Sequence, residues 1–448
     1  MNFRQLRSFS TSRSLSIQDV FILAAARTPM GSFRSALGPM SATELGALAI
    51  QAALHRAKVS PTKVDDVYMG NVCSAGLGQA PARQAAIFAG IPTSAEATTV
   101  NKVCASGMES MSNVPFYLRR GDTPYGGVHL QDGIVFDGLT DVYNKIHMGN
   151  CTENTVKKIG ISREEQDEYA LNSYKKSAAA YSSGRISAEL TPVEVPVKKY
   201  RKINFDKFTS LVCFQKENGT ITAGNASTLN DGGAAVVLAS EAAAKGVGSE
   251  PIARIIGAID AATDPIDFPL APALGIPKLL AKYNLKTDDI SQWEINEAFS
   301  AVVLTVNPNG GAVSLGHPIG MSGTRLIVHL CHSLKKGEKG VASICNGGGG
   351  STSLVIEKLG DPIKGPVLTL YTKYPCPLCD VLKDELKKSF NHRFSALREV
   401  NIAAPENSEW LDLYKNEIPV LFLNGIFVCK HRLDHEKIDE MLKKYESQ

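Results

Sequence analysis

Short apolar runs alternate with stretches of helical periodicity along the N-terminal part of the chain. The runs at 20–24, 64–72 and 98–103 predict buried strands. The segments 41–58 and 81–89 between them predict helices. Ser41 and Glu44 form a capping box at the start of the first helix, and Pro81 stands in the first turn of the second. Strands that alternate with helices indicate an α/β fold with a largely parallel sheet.

The same order of elements returns towards the C-terminus. Strands are predicted at 252–259, 293–295, 312–314, 340–345 and 351–357, and helices at 272–283, 297–304 and 322–335. In each half a strand runs into an elbow of small residues, Cys-Ala-Ser-Gly at 104–107 and Gly-His-Pro at 316–318. We therefore expect two stacked α/β halves whose elbows meet. Segment 119–214 is richer in charge and turn residues, carries a predicted helix at 163–182, and would be an excursion from the sheet.

The two halves differ after their elbows. The second half continues with the helix at 322–335 and the strand at 340–345, whereas the first half runs directly from Met108 into Glu109 with no counterpart of either. Loss of a central helix and strand exposes apolar faces and leaves strand edges unpaired. The expected cost exceeds the ~5–15 kcal/mol by which a domain is usually stable.

A separate unit is predicted over residues 364–448. It reads as a strand (367–371), a Cys-x-x-Cys motif at Cys376 and Cys379, a helix to 388, a strand (394–400), a helix (408–414), a strand pair (420–429) and a last helix (434–445). The boundaries expected for the chain are 1–17 for a leader, 18–235 for the first half with its excursion at 119–214, 236–360 for the second half, and 364–448 for this unit.

Composition narrows the class of protein. The 448 residues are 44% hydrophobic and 21% charged, which is typical of a globular protein. The net charge of +3 is too small to indicate a nucleic-acid-binding surface. No apolar run approaches the roughly 20 residues that span a bilayer, so we expect no membrane insertion. Nine cysteines with a single Cys-x-x-Cys indicate a reduced compartment rather than a disulfide framework.

The first residues resemble a targeting segment. Arg4, Arg7 and Arg13 lie among several serines, and no acidic residue precedes Asp19. This composition predicts a mitochondrial transit peptide over 1–17, with a disordered tail as the alternative.

Candidate chemistry is concentrated at the strand ends. Cys104 would lie where a strand turns into a helix, a position that favours a thiolate nucleophile, although a buried structural cysteine is the commoner case. The second half offers Asn296, His317, Cys345 and the glycines at 347–350 in similar positions. An imidazole, a second thiol, an amide and bare backbone N–H groups are what carbanion chemistry at a thioester requires.

These residues stand in four blocks that resemble the signature blocks of the thiolases. The blocks are Val-Asn-Lys-Val-Cys-Ala-Ser-Gly at 100–107, Asn-Glu-Ala-Phe at 296–299, the segment 311–320 around Gly-His-Pro, and Cys-Asn-Gly-Gly-Gly-Gly at 345–350. The similarity extends over 19–358. It implies an acetyl-CoA C-acetyltransferase in the mitochondrial matrix, which condenses two acetyl-CoA to acetoacetyl-CoA or runs the reverse thiolysis. Against the family pattern, residues are missing between Met108 and Glu109 and again before Asn309.

The resemblance also implies roles for individual residues. Cys104 would take the acyl group, His317 would activate it, and Asn296 would hold a water at the thioester oxygen. Cys345 would move the α-carbon proton, and the N–H groups of Cys104 and Gly347 would form an oxyanion hole, whose donors are typically worth about 3 kcal/mol each.

Binding residues follow from the same resemblance. Coenzyme A thioesters would contact His147, Met148, Tyr174, Lys202, Ile203, Asn204, Lys207, Ser227 and Phe268. A potassium site would be formed by Tyr174, Ala223, Gly224, Ala226 and Val313. The loop at 123–132 resembles the one through which thiolases form tetramers, so a homotetramer is implied.

The C-terminal unit resembles the glutaredoxin-like branch of the thioredoxin fold. Cys376 and Cys379 open a helix, and Pro419 matches the cis-proline that lies beside such a motif. Half of a zinc site is the alternative interpretation of the motif, but no second cysteine pair follows. The usual glutathione-binding pattern is missing near 429–431, and the resemblance implies no redox cofactor.

Three hypotheses therefore remain open from the sequence. The chain is an acetyltransferase, or a thiol–disulfide oxidoreductase carried on an impaired thiolase remnant, or a relative that binds coenzyme A without turnover.

Overall fold

The computed structural model describes most of the chain. It covers residues 19–104, 107–118, 120–121, 125–193, 219–302, 307–360, 367–390, 393–394, 396–404, 411, 414–423 and 426–446. The predicted transit peptide at 1–17 and most of the predicted helix at 408–414 lie outside these residues, so both stay predictions. None of the helices in the described part of the chain combines the length and the apolar character that crossing a bilayer requires.

Fourteen strands precede the C-terminal unit in the described residues. They are β1 (Val20–Arg27), β2 (Gly31–Ser32), β3 (Asp66–Gly70), β4 (Glu96–Val100), β5 (Met108–Ser110), β6 (Phe116–Tyr117), β7 (Gln131–Asp132), β8 (Thr140–Asp141), β9 (Ile146–His147), β10 (Asn230–Ser240), β11 (Ala253–Ala262), β12 (Gln292–Ile295), β13 (Lys339–Asn346) and β14 (Gly350–Lys358).

Eight α-helices accompany these strands in the same residues. They are α1 (Ala42–Ala57), α2 (Pro81–Phe88), α3 (Met148–Ile159), α4 (Arg163–Ser182), α5 (Glu241–Gly246), α6 (Ala271–Lys282), α7 (Ala312–Leu315) and α8 (Ser322–Ser333).

One sheet carries strands from both halves. Its order is β12-β13-β14-β11-β1-β10-β2, and β5 also pairs with β10. The halves join where β1 pairs with β11 over Val20 to Ile22. The prediction of a largely parallel sheet is wrong: β12–β13 is the parallel pair of this sheet, and the other described pairs are antiparallel. For β13 and β14 the physical reason is the tight glycine turn between them, because a connection this short can join antiparallel neighbours only.

Local sequence signals explain where the long helices begin. Ser41 and Glu44 make both bonds of the capping box at α1, and Ser162 with Glu165 makes a second box at α4. Helix α1 then packs against β10 at close range. A Cβ at Gly233 would lie 2.4 Å from the Leu45 carbonyl oxygen, so this position of β10 requires glycine.

The first half lacks the helix and strand that follow the elbow of the second. In the described residues β5 starts at Met108, four residues after Cys104, and pairs directly with β10. Strands β3 and β4 form a separate two-stranded parallel sheet instead of joining the main sheet. Tyr68 of β3 is 72% exposed and Phe88 of α2 is 53% exposed. The expected exposure of apolar surface is therefore present beside the nucleophile strand.

The C-terminal unit is a four-stranded sheet with helices against it. Its described elements are β15 (Val367–Thr372), α9 (Pro377–Phe390), β16 (Ala396–Asn401), β17 (Val420–Leu423), β18 (Ile426–Lys430) and α10 (His435–Glu446). The order β16-β15-β17-β18 has a parallel first pair and antiparallel others. Leu368, Leu370, Leu386 and Leu442 share its main core.

Two predicted elements of the second half differ from the structure. The segment predicted as a strand at 312–314 is the helical turn α7. In place of the helix predicted at 297–304, the described residues show a 3-10 turn over Ser300–Val302. Val313 of α7 donates its N–H to the buried carboxylate of Glu297, which belongs to the second of these segments.

Candidate active site

The Cys104 thiol lies buried between the two halves. The residue follows β4 through a short turn in which Val103 has φ +50° and donates its N–H to Asn101. Its carbonyl accepts a hydrogen bond of 2.9 Å from the N–H of Gly323, in the first turn of α8. The side chain is 6% exposed. The elbow of the first half is thus bonded to the helix that follows the elbow of the second half.

The predicted helix at Cys104 is not formed, and its predicted effect is reversed. The described residues lead from Cys104 to β5 instead, because the segment that would form the helix is absent. Burial raises the pKa of the Cys104 thiol well above its ordinary value, and Cys345 and Glu109 raise it further. Cys104 is therefore held as a neutral thiol, and a nucleophilic role would require a neighbouring base to take its proton.

His317 supplies that base. Its Nε2 lies 3.6 Å from Cys104 Sγ and 3.5 Å from Asn296 Nδ2. Burial, with a smaller effect from Arg325, lowers the pKa of His317 to about 3, so the imidazole is neutral at rest. Its Nδ1 lies 2.6 Å from the Ser322 hydroxyl. A neutral imidazole facing a neutral thiol is the arrangement of general-base activation.

The backbone at His317 is held by Asn230 of β10. The Asn230 carboxamide accepts the His317 N–H at 2.9 Å and donates to the Gly31 carbonyl at 3.0 Å. Gly316 has φ +107°, and a Cβ there would lie 2.4 Å from Asn230 Nδ2. The glycine before the histidine is therefore needed for both its backbone conformation and this close approach.

Cys345 ends β13 next to the same site. It is 1% exposed, and burial raises the pKa of its thiol to about 12. The turn after it contains Gly348 and Gly349, both with φ +84°. A Cβ at Gly347 would lie 3.7 Å from Met148 Cε and 3.9 Å from Val103. The glycine turn, the nucleophile strand and the loop before α3 therefore meet in one place.

An apolar wall surrounds Cys345. Phe268 and Cys151 are buried against it together with the partly buried side chains of Met148 and Phe299. The rings of Phe268 and Phe299 meet edge to face, with centroids 6.5 Å apart. His147 caps α3 by accepting the Gly149 N–H on Nδ1 at 3.0 Å, and burial lowers its pKa. The structure thus brings His147, Met148 and Phe268 to the side of the predicted site.

Glu109 is a buried carboxylate that the sequence alone did not single out. Its oxygens accept from Asn71 Nδ2 at 3.1 Å, from Val72 N at 3.0 Å and from Cys73 N at 3.4 Å, and from the backbone of Gly320. Burial raises its pKa to about 7, although these backbone bonds lower it. The side chain ties the loop after β3 to the elbow that carries His317.

A buried ion network supports α8 beneath the site. Glu189 pairs with Arg27 and accepts from His329 Nδ1 at 2.9 Å, and Arg325 Nη1 lies 3.7 Å from Glu294 Oε2. Burial raises the pKa of Glu189, but Arg27 and His329 outweigh it and hold the pKa well below its ordinary value. Within this network Arg27 and His329 keep Glu189 charged, whereas burial raises the pKa of Glu294 and lowers that of Arg325, because removal from water is costly for a charge.

Of the predicted coenzyme A residues, those at 202–204 and 207 lie outside the described part of the chain. Lys202, Ile203, Asn204 and Lys207 therefore stay predictions. Ser227 is described and donates its hydroxyl to the Ala298 carbonyl at 2.8 Å, next to the Asn296 block.

The segments of the predicted potassium site converge on Glu297. Val313 N donates to its carboxylate at 3.1 Å, and Ala226 bridges Phe299 two residues further on. Tyr174 is partly buried near the same carboxylate, and burial followed by Glu297 raises its pKa. Ala223, which is exposed, and Gly224, which is buried, belong to the turn whose Thr222 carbonyl accepts the Ala226 N–H at 3.0 Å.

The C-terminal motif forms a disulfide. Cys376 and Cys379 are bonded to each other at the start of α9, and the Cys379 N–H donates to Cys376 Sγ at 3.2 Å. Cys376 is 7% exposed and Cys379 is fully buried. The Ile418–Pro419 peptide bond is cis, and Ile418 packs in the same apolar cluster as both cysteines. Among the described residues, no group of three or more His, Cys, Asp or Glu side chains is arranged to hold a metal ion.

Comparison with protein families identifies both parts of the chain. Residues 20–114 and 105–242 match the thiolase N-terminal domain, and 249–358 match the thiolase C-terminal domain. The two stretches that match the first domain overlap at 105–114, where the first half has no counterpart of the helix and strand that follow the elbow of the second half. Residues 367–443 match the glutaredoxin-like domain.

Individual relatives agree with the family match. Acetyl-CoA acetyltransferase A, mitochondrial, of Xenopus laevis is 53% identical over 399 residues, with 79% of this chain and 94% of the relative covered. The mitochondrial acetyl-CoA acetyltransferase of Bos taurus is 54% identical over 389 residues, with 77% and 92% covered. Since 79% of 448 residues is about 354, the 399 aligned residues of the first relative include segments that this chain lacks.

A solved structure shows the same fold. Acat5 thiolase from Ascaris suum in complex with coenzyme A superposes with a TM-score of 0.73 at 41% identity, covering 76% of this chain and all of the other.

Proposed function

The chain belongs to the thiolase family, and from that premise we propose that it is an acetyl-CoA C-acetyltransferase. It would condense two acetyl-CoA to acetoacetyl-CoA and coenzyme A, and catalyse the reverse thiolysis. The observation that carries the proposal is the buried contact of 3.6 Å between Cys104 Sγ and His317 Nε2, with Asn296 beside it. The relatives named acetyl-CoA acetyltransferase, at 53–54% identity, support the choice of substrate.

The first half-reaction forms an acetyl-enzyme. Cys104 Sγ attacks the carbonyl carbon of acetyl-CoA while His317 Nε2 takes the thiol proton. The resulting imidazolium, with a water held by Asn296, stabilises the oxyanion. The thiol proton of Cys345 passes to the sulfur of the departing coenzyme A. The products are acetyl-Cys104, free coenzyme A, a protonated His317 and a Cys345 thiolate.

The second half-reaction forms the carbon–carbon bond. The Cys345 thiolate removes a proton from the α-carbon of a second acetyl-CoA, and the carbanion attacks the carbonyl carbon of acetyl-Cys104. The N–H groups of Cys104 and Gly347 would hold the second oxyanion. The Cys104 thiolate then leaves and recovers its proton from His317. All protons are returned, so the enzyme ends as it began.

Electrostatics of the site suit these roles. Burial raises the pKa of the Cys345 thiol to about 12, so its thiolate is a strong base once the departing coenzyme A has taken the proton. The intermediate pairs that thiolate with the His317 imidazolium. The two charges arise together inside a buried site, where their attraction is weakly screened.

Finer features complete the proposal. Coenzyme A thioesters would contact His147, Met148, Tyr174, Lys202, Ile203, Asn204, Lys207, Ser227 and Phe268. A potassium ion would be held by Tyr174, Ala223, Gly224, Ala226 and Val313, largely through backbone carbonyls, which are oxygen ligands that suit a hard cation, and it would fix the segments that converge on Glu297. The loop at 123–132 exposes the apolar side chains of Tyr125, Val128 and Leu130, which supports a homotetramer assembled through it. Residues 1–17 would direct the chain to the mitochondrial matrix.

Acetyl transfer to the nucleophile tests the proposal. The purified chain is incubated with isotopically labelled acetyl-CoA, and the acetylated cysteine is identified by mass spectrometry of peptides. We expect label on Cys104 and none in the Cys104→Ala variant. Cys73 is the matched control, because its thiol is also buried near Glu109 and burial likewise raises its pKa. Label that persists in Cys104→Ala, or that is lost in Cys73→Ala, would contradict the assignment of Cys104 as the acetylated residue.

A second activity is proposed for the glutaredoxin-like domain. The Cys376–Cys379 disulfide at the start of α9 favours thiol–disulfide exchange, since the helix N-terminus and the Cys379 N–H both stabilise a thiolate on Cys376. The dithiol form would reduce a protein disulfide to two thiols and become the disulfide itself. Reduction of insulin by dithiothreitol, accelerated by the chain, measures this step. Cys376→Ser should abolish the acceleration, and Cys429→Ser, at a buried cysteine of the same domain, should not. Equal loss in both variants would contradict the role.

A further inference from the structure

The catalytic imidazole has a polar partner on the side away from the nucleophile. Ser322 is the first residue of α8, is 1% exposed, and places its hydroxyl 2.6 Å from His317 Nδ1. The same hydroxyl lies 3.1 Å from the Pro318 carbonyl oxygen, four residues earlier in the chain. The hydroxyl is thus positioned between the imidazole and a backbone acceptor.

The contacts of the other ring nitrogen, Nε2, indicate which nitrogen of His317 carries the ring proton. A neutral imidazole carries one ring proton, on one of its two nitrogens. Nε2 is approached by Cys104 Sγ at 3.6 Å and by Asn296 Nδ2 at 3.5 Å. A thiol and an amide nitrogen can both present hydrogens here, an arrangement in which Nε2 presents its lone pair. The ring proton is therefore on Nδ1, and the short contact to Ser322 is a hydrogen bond donated by Nδ1–H.

We infer that Ser322 is a positioning residue that holds His317 in the Nδ1–H tautomer and so keeps Nε2 free to take the proton of Cys104. An oxygen that accepts the Nδ1–H bond must direct its own hydrogen elsewhere, and the Pro318 carbonyl receives it. The inference rests on the proposed role of His317 and adds the group that orients it.

The arrangement also changes during the proposed reaction. When Nε2 takes the thiol proton, the ring becomes positively charged and the bond from Nδ1–H to the hydroxyl becomes charge-assisted, which strengthens it. The charged group that acts on His317 is Arg325, and the titratable groups that act on Cys104 are Cys345 and Glu109. Arg325 disfavours the imidazolium, so the neutral hydroxyl is the partner that favours it.

Removal of the hydroxyl should slow proton transfer without affecting substrate binding. We expect Ser322→Ala to lower kcat for thiolysis by roughly 10- to 100-fold, the range typical for loss of a group that orients a reactive imidazole, with KM within about twofold. Alkylation of Cys104 by iodoacetamide should slow by a similar factor at neutral pH, and its pH profile should move to higher pH. Ser322→Thr keeps a hydroxyl and should retain most of the alkylation rate.

Ser333 provides the matched control on the same helix. Its hydroxyl also lies at hydrogen-bond distance from a carbonyl four residues earlier, that of His329, at 2.8 Å, and from the Gln292 side-chain oxygen at 2.9 Å. Ser333→Ala should leave kcat and the alkylation profile unchanged. Wild-type kcat and alkylation in Ser322→Ala would overturn the inference, as would equal losses in the two alanine variants.

A measurement on the unmutated chain keeps the inference testable if Ser322→Ala does not fold. The 15N shifts of the His317 ring, assigned with the His317→Gln variant, report which nitrogen carries the proton. A protonated Nδ1 and an unprotonated Nε2 at neutral pH support the inference, and a protonated Nε2 overturns it. The readout requires no turnover, so it is separate from a failure of the proposed acetyltransferase activity.

Discussion

Glu109 gives the structure its sharpest pH-dependent prediction. The side chain is fully buried, and its carboxylate accepts from Asn71, Val72, Cys73 and the backbone of Gly320. Glu109→Gln preserves the shape and removes the titrating group. We therefore expect the substitution to change how the free energy of unfolding depends on pH, in addition to any constant loss of hydrogen bonds.

The magnitude follows from the shift of the pKa. Burial raises the pKa of Glu109 from 4.5 to about 7, a difference equivalent to about 3 kcal/mol. Between these values the folded state binds more protons than the unfolded state, so stability falls as pH rises. The contribution is fully present below pH 4.5 and is lost as pH passes about 7. Relative to Glu109→Gln, the wild-type chain should therefore lose about 3 kcal/mol between about pH 5 and about pH 8.

Urea unfolding at several pH values measures this difference. The free energy of unfolding of the thiolase part is compared for wild type and Glu109→Gln at each pH, and their difference is plotted. Glu250→Gln is the control, since Glu250 is exposed in the loop before β11. Its difference from wild type should stay constant. A flat difference for Glu109→Gln over the same range would refute the argument that this buried carboxyl titrates near neutrality.

Two further substitutions test the packing that holds the site. Gly233→Ala should destabilise the fold by at least about 1–3 kcal/mol, because its Cβ would meet the backbone of α1, whereas Gly246→Ala, with no atom within 4 Å, should be neutral or stabilising in thermal unfolding. Arg27→Met should cost about 3–5 kcal/mol by leaving Glu189 charged and buried, whereas Arg254→Met at a half-exposed pair should cost less than about 1 kcal/mol. Similar costs within either matched pair would contradict the burial on which the prediction rests.

Elements with local signals were predictable from the sequence. The capping boxes at Ser41 and Ser162 fix where α1 and α4 begin, and Pro81 marks the start of α2, because each signal acts within one helical turn. The short apolar run at 312–314 was predicted as a strand but forms a helical turn, since so few residues cannot show a period. The predicted parallel direction of the strands was also wrong, because strand direction depends on pairing between segments that lie far apart in the chain.

The candidate site likewise contains residues that the sequence predicts and residues that only the structure shows. Cys104, His317, Asn296 and Cys345 were predicted from their motifs, and the structure brings the first three into contact and buries the fourth beside them. Ser322 carried no signal of its own, since a serine at a helix start usually caps the helix. Asn230 and Glu109 act across long sequence separations, and only folded coordinates show such contacts.

The helix and strand missing after Met108 make activity the central question. The measurement that tests it most directly is thiolysis of acetoacetyl-CoA by the purified chain from Gln18 to Gln448, beside its Cys104→Ala variant. The account predicts turnover that disappears in the variant, because the contact between Cys104 and His317 is present in the shortened core. No turnover from a soluble, folded preparation, or turnover that persists in Cys104→Ala, would contradict it.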